Sequence, residues 1–150
     1  DSPDTSNVRD NSMDSVVQLR HSKPSILVVD DNFYNIMVIQ EMAKAEGMTC
    51  YSAQNGQQAI DKVRECHSKC QRLDLIFMDC EMPLLSGLET TSILRKMMED
   101  NEIPEIPIVG MSGLQEKDML KKTKEAGMSE YILKPVTENT FKRLTKKYCC

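Results

Sequence analysis

From residue 25 onward, apolar and polar positions change period at regular intervals along the chain. Ser25-Ile26-Leu27-Val28-Val29-Asp30 is a continuous apolar run closed by an acid, as expected of a strand buried on both faces. Residues 32–46 carry helical spacing and stop at Gly47. A short strand over 48–53 follows, then a helix from 55 to about 68 with Asn55 as its N-cap. Leu73-Asp74-Leu75-Ile76-Phe77-Met78-Asp79 repeats the buried-strand pattern. A loop with Pro83 leads into a helix over 87–99, and residues 106–111 form a fourth strand despite Pro107 near its start. A Lys-rich helix over 115–126 is closed by Gly127, residues 131–133 make a short fifth strand, and 137–148 form the last helix. Five strands, each followed by a helix, predict an α/β fold with a parallel sheet and helices on both faces. Such sheets place their sites beyond the carboxyl ends of the strands. Asp30, Asp31, Asp79, Ser112 and Lys134 therefore converge on one edge.

Ahead of this pattern, residues 1–23 are rich in Ser, Asp and Asn with no sustained period, and they read as a linker or tail. Its apolar residues are scattered apart from a short stretch at 16–19, which could pack weakly on the domain spanning residues 24–150. A chain beginning at Asp1 reads as a piece of something longer. At 150 residues with 40% hydrophobic content, one packed core is sustainable. No apolar run approaches the roughly 18 residues a membrane helix requires, so no direct membrane contact is expected. A net charge of −4 with no Trp argues against nucleic acid as a partner. The six cysteines lie in or beside patterned segments and read as reduced thiols, which suits a cytoplasmic location. Cys66-His67-Ser68-Lys69-Cys70 has no second ligand pair at zinc spacing and reads as ordinary helix.

Three carboxylates brought together repel one another unless a cation joins them. Hard oxygen ligands around an open position suit Mg²⁺. A hydroxyl and an ammonium opposite them offer a donor and a positive charge to an incoming anion, which together make a phosphoryl-transfer site. Neither G-x-x-x-x-G-K-[ST] nor G-x-G-x-x-G is present, so a nucleotide is not cradled in either usual way. The acceptor is then a group of the site itself, and Asp79 is the natural nucleophile.

Val28-Val29-Asp30-Asp31-Asn32, Met78-Asp79-Cys80-Glu81-Met82-Pro83, Ser112-Gly113 and Lys134-Pro135 resemble, in order and placement, the four signatures of a response-regulator receiver domain. The resemblance implies a flavodoxin-like doubly wound sheet of strand order 2-1-3-4-5. It implies that Asp79 accepts a phosphoryl group from a phosphohistidine, with Asp30, Asp31, Asp79 and the backbone carbonyl of Glu81 holding Mg²⁺. Ser112 and Lys134 would each bind a phosphoryl oxygen, and Ser112 with Tyr131 would form the switch. The domain would then catalyse its own phosphorylation and dephosphorylation. The Lys134-Pro135 bond is usually cis in such domains. Serine rather than threonine at 112, Gly113 after it and Glu81 near the entrance for water depart from the commonest pattern and bear on the lifetime of the phosphorylated state.

Asp30-Asp31-Asn32 with Asn35, and Met78-Asp79-Cys80-Glu81-Met82-Pro83, resemble receivers attached to hybrid sensor histidine kinases. With the polar leader and no output domain after the last helix, the first reading is the C-terminal receiver of such a kinase. Its partner would be a histidine kinase dimerisation domain or a histidine phosphotransfer protein, and the parent kinase could be membrane-anchored. A free-standing single-domain regulator, a receiver-like adaptor that is never phosphorylated and a flavin-binding protein of the same fold are the competing readings. Weak self-association through the fourth and fifth strands also fits the resemblance. On the first helix, Asn35, Val38, Ile39 and Met42 are assigned to the sheet-facing side, which leaves Phe33, Ile36 and Met37, with Tyr34, as a docking patch beside the acids.

Overall fold

A computed structural model describes residues 23–113 and 117–149; all but the last residue of the tail assigned to residues 1–23, with its apolar stretch at 16–19, lies outside the described residues. The elements alternate as β1 (Ser25–Val29), α1 (Phe33–Ala45), β2 (Thr49–Ala53), α2 (Gly56–Ser68), β3 (Leu75–Asp79), α3 (Gly87–Glu99), β4 (Ile108–Ser112), α4 (Met119–Ala126), β5 (Glu130–Leu133) and α5 (Glu138–Tyr148). All pairings are parallel, in the order β2-β1-β3-β4-β5. This is the doubly wound, flavodoxin-like order expected from the sequence.

Local chemistry explains where the helices start and stop. Asn32 accepts the Tyr34 N–H, Asn55 accepts the Gln58 N–H, and Thr137 accepts the Thr140 N–H, each satisfying an orphan donor of the first turn. Ser86 and Glu89 form a reciprocal capping box at the start of α3. Gly127 ends α4 at φ 103°, a left-handed conformation that costs glycine nothing. The helix expected over 115–126 begins as an α-helix only at Met119, and residues 114–116 lie outside the described residues.

Because the sheet is covered on both faces, alternate residues of one strand enter different cores. Leu27, Val29, Ile76, Met78 and Ile108 join the cluster that includes residues of α2 and α3. Ile26, Val28, Leu75, Phe77 and Val109 join the other, with residues of α1 and α5. In that second cluster Phe77 stacks on Phe141, with ring centroids 5.7 Å apart. Gly110 on β4 allows the turn after α4 to lie close to the sheet, because a Cβ there would collide with the Met128 sulfur. Cys50, Cys66, Cys70, Cys80 and Cys149 form no disulfide among the described residues. Burial pushes the Cys50 and Cys80 thiols up to about 12, so both are inert at neutral pH. No helix among the described residues is long and apolar enough to cross a membrane.

Candidate functional site

Strand ends build the site. β1 stops at Val29 and hands the chain to Asp30 and Asp31, while β3 ends on Asp79 itself. β4 ends on Ser112, and the segment after β5 brings in Lys134, whose peptide bond to Pro135 is cis. The Lys134 N–H donates to the Ser112 carbonyl at 2.8 Å, and the Cys80 N–H donates to the Met111 carbonyl at 2.8 Å. These bonds tie the loops after β3 and β5 to the end of β4. A Cβ on Gly87 would run into the Asp79 carbonyl, so glycine lets α3 start directly against the acceptor strand.

Asp30 and Asp79 are fully buried, whereas Asp31 faces solvent. One oxygen from each of the three lies within 4.8 Å of the others. Among the described residues this is the one acidic, histidine or cysteine group of that kind, and the Cys66–Cys70 segment forms none. Asp30 is held from three directions: Oδ1 accepts the Asn32 N–H at 2.9 Å, and Oδ2 accepts from Asn35 Nδ2 at 3.2 Å and Lys134 Nζ at 3.1 Å. Asp79 Oδ1 accepts from Lys134 Nζ at 2.9 Å and from the Glu81 N–H at 3.1 Å. Asp79 Oδ2 is buried with no hydrogen-bond partner.

Burial raises the Asp79 carboxyl from 3.8 to about 7; the Asp30 charge adds to the rise, and Lys134 opposes it. Burial works against the Lys134 charge, but its bonds and attraction to Asp79 and Asp30 win and raise its pKa. One lysine thus serves two buried acids and leaves an oxygen unpaired. An orphaned carboxylate oxygen among three acids, one of them open to solvent, fits a hard divalent cation.

Ser112 is buried at its strand end, and Tyr131 is half-buried, packed against the α2–α3 side of the core and opposite Gly110 in register. The Glu81 carboxylate turns to the neighbouring loop, where Oε1 accepts the Gly113 N–H at 3.2 Å. On α1, Phe33, Tyr34 and Met37 are 58%, 71% and 46% exposed. Ile36 is not part of that patch. It is 1% exposed and lies in the core cluster that includes Phe77 and Phe141, which corrects its assignment to a docking surface. The sheet-facing stripe is Ile36, Ile39 and Ala43, while Asn35, Val38 and Met42 flank it half-buried. A cavity of about 180 Å³ opens beside the patch, between α1 and the loop after β5, and Asp30, Tyr34, Val38, Met111, Lys134 and Pro135 are among its walls.

Sequence reasoning missed two contacts at the site. Asn35, assigned to the buried stripe, positions Asp30, and the side chain of Glu81 reaches Gly113 across 32 residues. A polar residue one turn into a helix that follows two acids was the available signal for the first. No local signal exists for the second.

The model of the response regulator receiver domain matches residues 26–146. The osmosensing histidine protein kinase SLN1 of Saccharomyces cerevisiae is 34% identical over 125 residues, which cover 83% of this chain and 10% of that protein. The polar-differentiation response regulator DivK of Brucella anthropi is 32% identical over 124 residues, covering 83% of this chain and 94% of DivK. The chain thus spans a tenth of one relative and nearly all of the other. Among solved structures, the receiver domain of the histidine kinase CKI1 from Arabidopsis thaliana, complexed with Mg²⁺, aligns with a TM-score of 0.72 at 28% identity, over 83% of this chain and 90% of that one. The strand order, the acids at two strand ends and the match over residues 26–146 agree, and the chain belongs to the response regulator receiver domain family of two-component signalling.

Proposed function

We propose that this receiver takes a phosphoryl group from a phosphohistidine onto Asp79, with Mg²⁺ held by Asp30, Asp31, Asp79 and the Glu81 carbonyl. The observation that carries the reading is the Asp79 Oδ2 atom, buried and unpaired beside two further acids and one ammonium. In the transfer, the bond from phosphorus to Asp79 forms as the bond to the donor imidazole nitrogen breaks, and the electron pair leaves on that nitrogen. When bound, the cation neutralises the phosphoryl oxygens. Lys134 is held within reach of the same oxygens, and Ser112 supplies a hydroxyl at the neighbouring strand end. Ser112 and Tyr131 form the switch, as a shift between arrangements that both exist beforehand.

The partner is a histidine kinase dimerisation domain or a histidine phosphotransfer protein. It docks on Phe33, Tyr34 and Met37, with the adjoining cavity open to one of its side chains. Apolar contact at the start of α1 would place a donor histidine in line with Asp79. Similarity to SLN1 favours the C-terminal receiver of a hybrid kinase on the cytoplasmic side. The near-complete coverage of DivK supports the alternative of a free-standing regulator.

Incubation with Mg²⁺ and acetyl phosphate, followed by intact-mass measurement, tests the reading. The wild type should gain one acid-labile phosphoryl group and Asp79→Asn none. Gain of the same mass at the same rate by Asp79→Asn would refute the assignment.

A further inference from the structure

We infer that Glu81 is a positioning residue whose carboxylate occupies the Gly113 backbone N–H until an anion on Asp79 displaces it; the inference rests on Asp79 being the phosphoacceptor. Glu81 touches both sides of the reaction site. Its own N–H donates to Asp79 Oδ1 at 3.1 Å, and its Oε1 accepts the Gly113 N–H at 3.2 Å. The first contact fixes the acceptor, and the second clamps the loop after β4 directly beyond Ser112. Through Glu81, the acceptor acid and the Gly113 donor are thus joined by two consecutive hydrogen bonds, and an anion added to Asp79 would compete with the Glu81 carboxylate for that donor.

The remaining atoms indicate that this clamp does not exist for stability. Glu81 Oε2 is buried with no hydrogen-bond partner, an arrangement that costs a folded protein rather than helping it. A Cβ on Gly113 would meet nothing within 4 Å, so the space around that residue does not require glycine. What Gly113 contributes to this contact is its N–H. Like charges repel, so an anion on Asp79 weakens the hold of Glu81 on Gly113 and can take the donor in its place. The exchange trades one anionic acceptor for another. It also sets the threshold for anion capture, because the Glu81 bond must break first.

Three proteins separate this from simple charge repulsion: wild type, Glu81→Gln and Glu81→Ala. Glutamine keeps an acceptor for Gly113 and loses the charge, whereas alanine loses both. Without metal, the Gly113 amide proton resonance should move upfield in Glu81→Ala and stay near its wild-type position in Glu81→Gln. With Mg²⁺ and beryllofluoride, Glu81→Ala should bind about fivefold tighter than Glu81→Gln, the worth of one hydrogen bond that need not be exchanged. Wild type should bind more weakly than both. Equal beryllofluoride affinity in the two variants, or an unmoved Gly113 resonance in Glu81→Ala, overturns the clamp. Absence of beryllofluoride binding in all three overturns the phosphoacceptor reading itself. The two failures are distinguishable because the metal-free resonance reports the clamp alone.

Discussion

In Asp79→Asn the side chain keeps its shape and loses its charge, at a position with no solvent exposure beside Asp30 and Lys134. Burial lifts the wild-type carboxyl from 3.8 to about 7, so the folded protein holds its proton more tightly than the unfolded chain does. Below pH 3.8 both states are protonated, and Asp79 contributes nothing to the difference. As pH rises from there through 7, folding must pay to ionise a buried acid, and by linkage the loss reaches about 4 kcal/mol. Asparagine escapes this loss. The attraction of Lys134 is already contained in the net rise to about 7, so the neutral amide stands in for the protonated acid with no further charge to subtract. The net expectation at pH 8 without metal is a variant more stable than wild type by about 4 kcal/mol.

Urea denaturation read by circular dichroism measures this directly, as a midpoint raised by about 2 M for a domain of this size. Other carboxyls titrate in both proteins, so the informative quantity is the difference between the two midpoints at each pH. That difference should be small or reversed at pH 4 and should grow towards pH 8. Millimolar Mg²⁺ should then stabilise wild type more than the variant and narrow the gap. A variant less stable than wild type at pH 8 without metal, or a difference that does not change with pH, would refute the account of strain at Asp79.

Three further outcomes follow from the packing. Ile36→Glu should lower stability by more than about 3 kcal/mol, because it buries a charge beside Phe77, whereas Met37→Glu should change stability by no more than about 0.5 kcal/mol and still slow transfer from a phosphohistidine partner; equal transfer rates for Met37→Glu and wild type would move the docking surface elsewhere. Gly87→Ala should cost about 2 kcal/mol by forcing α3 away from the Asp79 carbonyl, measured as a lowered denaturation midpoint. Burial opposes ionisation of Glu130, but hydrogen bonds from Arg143, Lys147 and Tyr148 outweigh it and lower its pKa. Glu130→Gln should therefore cost about 1 kcal/mol at neutral pH, and the penalty should vanish as pH falls through the folded value below 4.5.

Strands buried on both faces write themselves into the sequence as unbroken apolar runs, and here three of those runs end on or beside the site residues Asp30, Asp79 and Ser112. For that reason the sheet and its functional edge were legible together. The phase of α1 was not. Phe33, Tyr34, Ile36, Met37, Val38, Ile39 and Met42 make the helix apolar on most sides, so residue type alone does not select the buried stripe. The register is fixed instead by the Asn32 cap and by Asn35 reaching Asp30, which turn Ile36 and Ile39 to the sheet. Contacts between loops, such as Glu81 with Gly113, depend on two distant strands being neighbours and leave no local trace.

The charge arrangement also implies an order of events. Three acids, Asp30, Asp31 and Asp79, face one ammonium, Lys134, so ionisation of all three would leave an excess of negative charge that repels a phosphoryl donor. Under the proposed function, cation binding would therefore precede productive encounter with the donor. Lys134 cannot neutralise the site by itself, since its ammonium is already divided between Asp79 Oδ1 and Asp30 Oδ2. A cation held by these acids would offset their charge, and Lys134, bonded to both Asp30 and Asp79, would then be freer to meet the incoming group. The same division explains why the positive charge is set on the segment after β5, anchored by its N–H to the Ser112 carbonyl. Under the proposed function, a shift of Lys134 towards an anion on Asp79 would pull on that backbone bond to the end of β4, where Ser112 and the Gly113 donor sit.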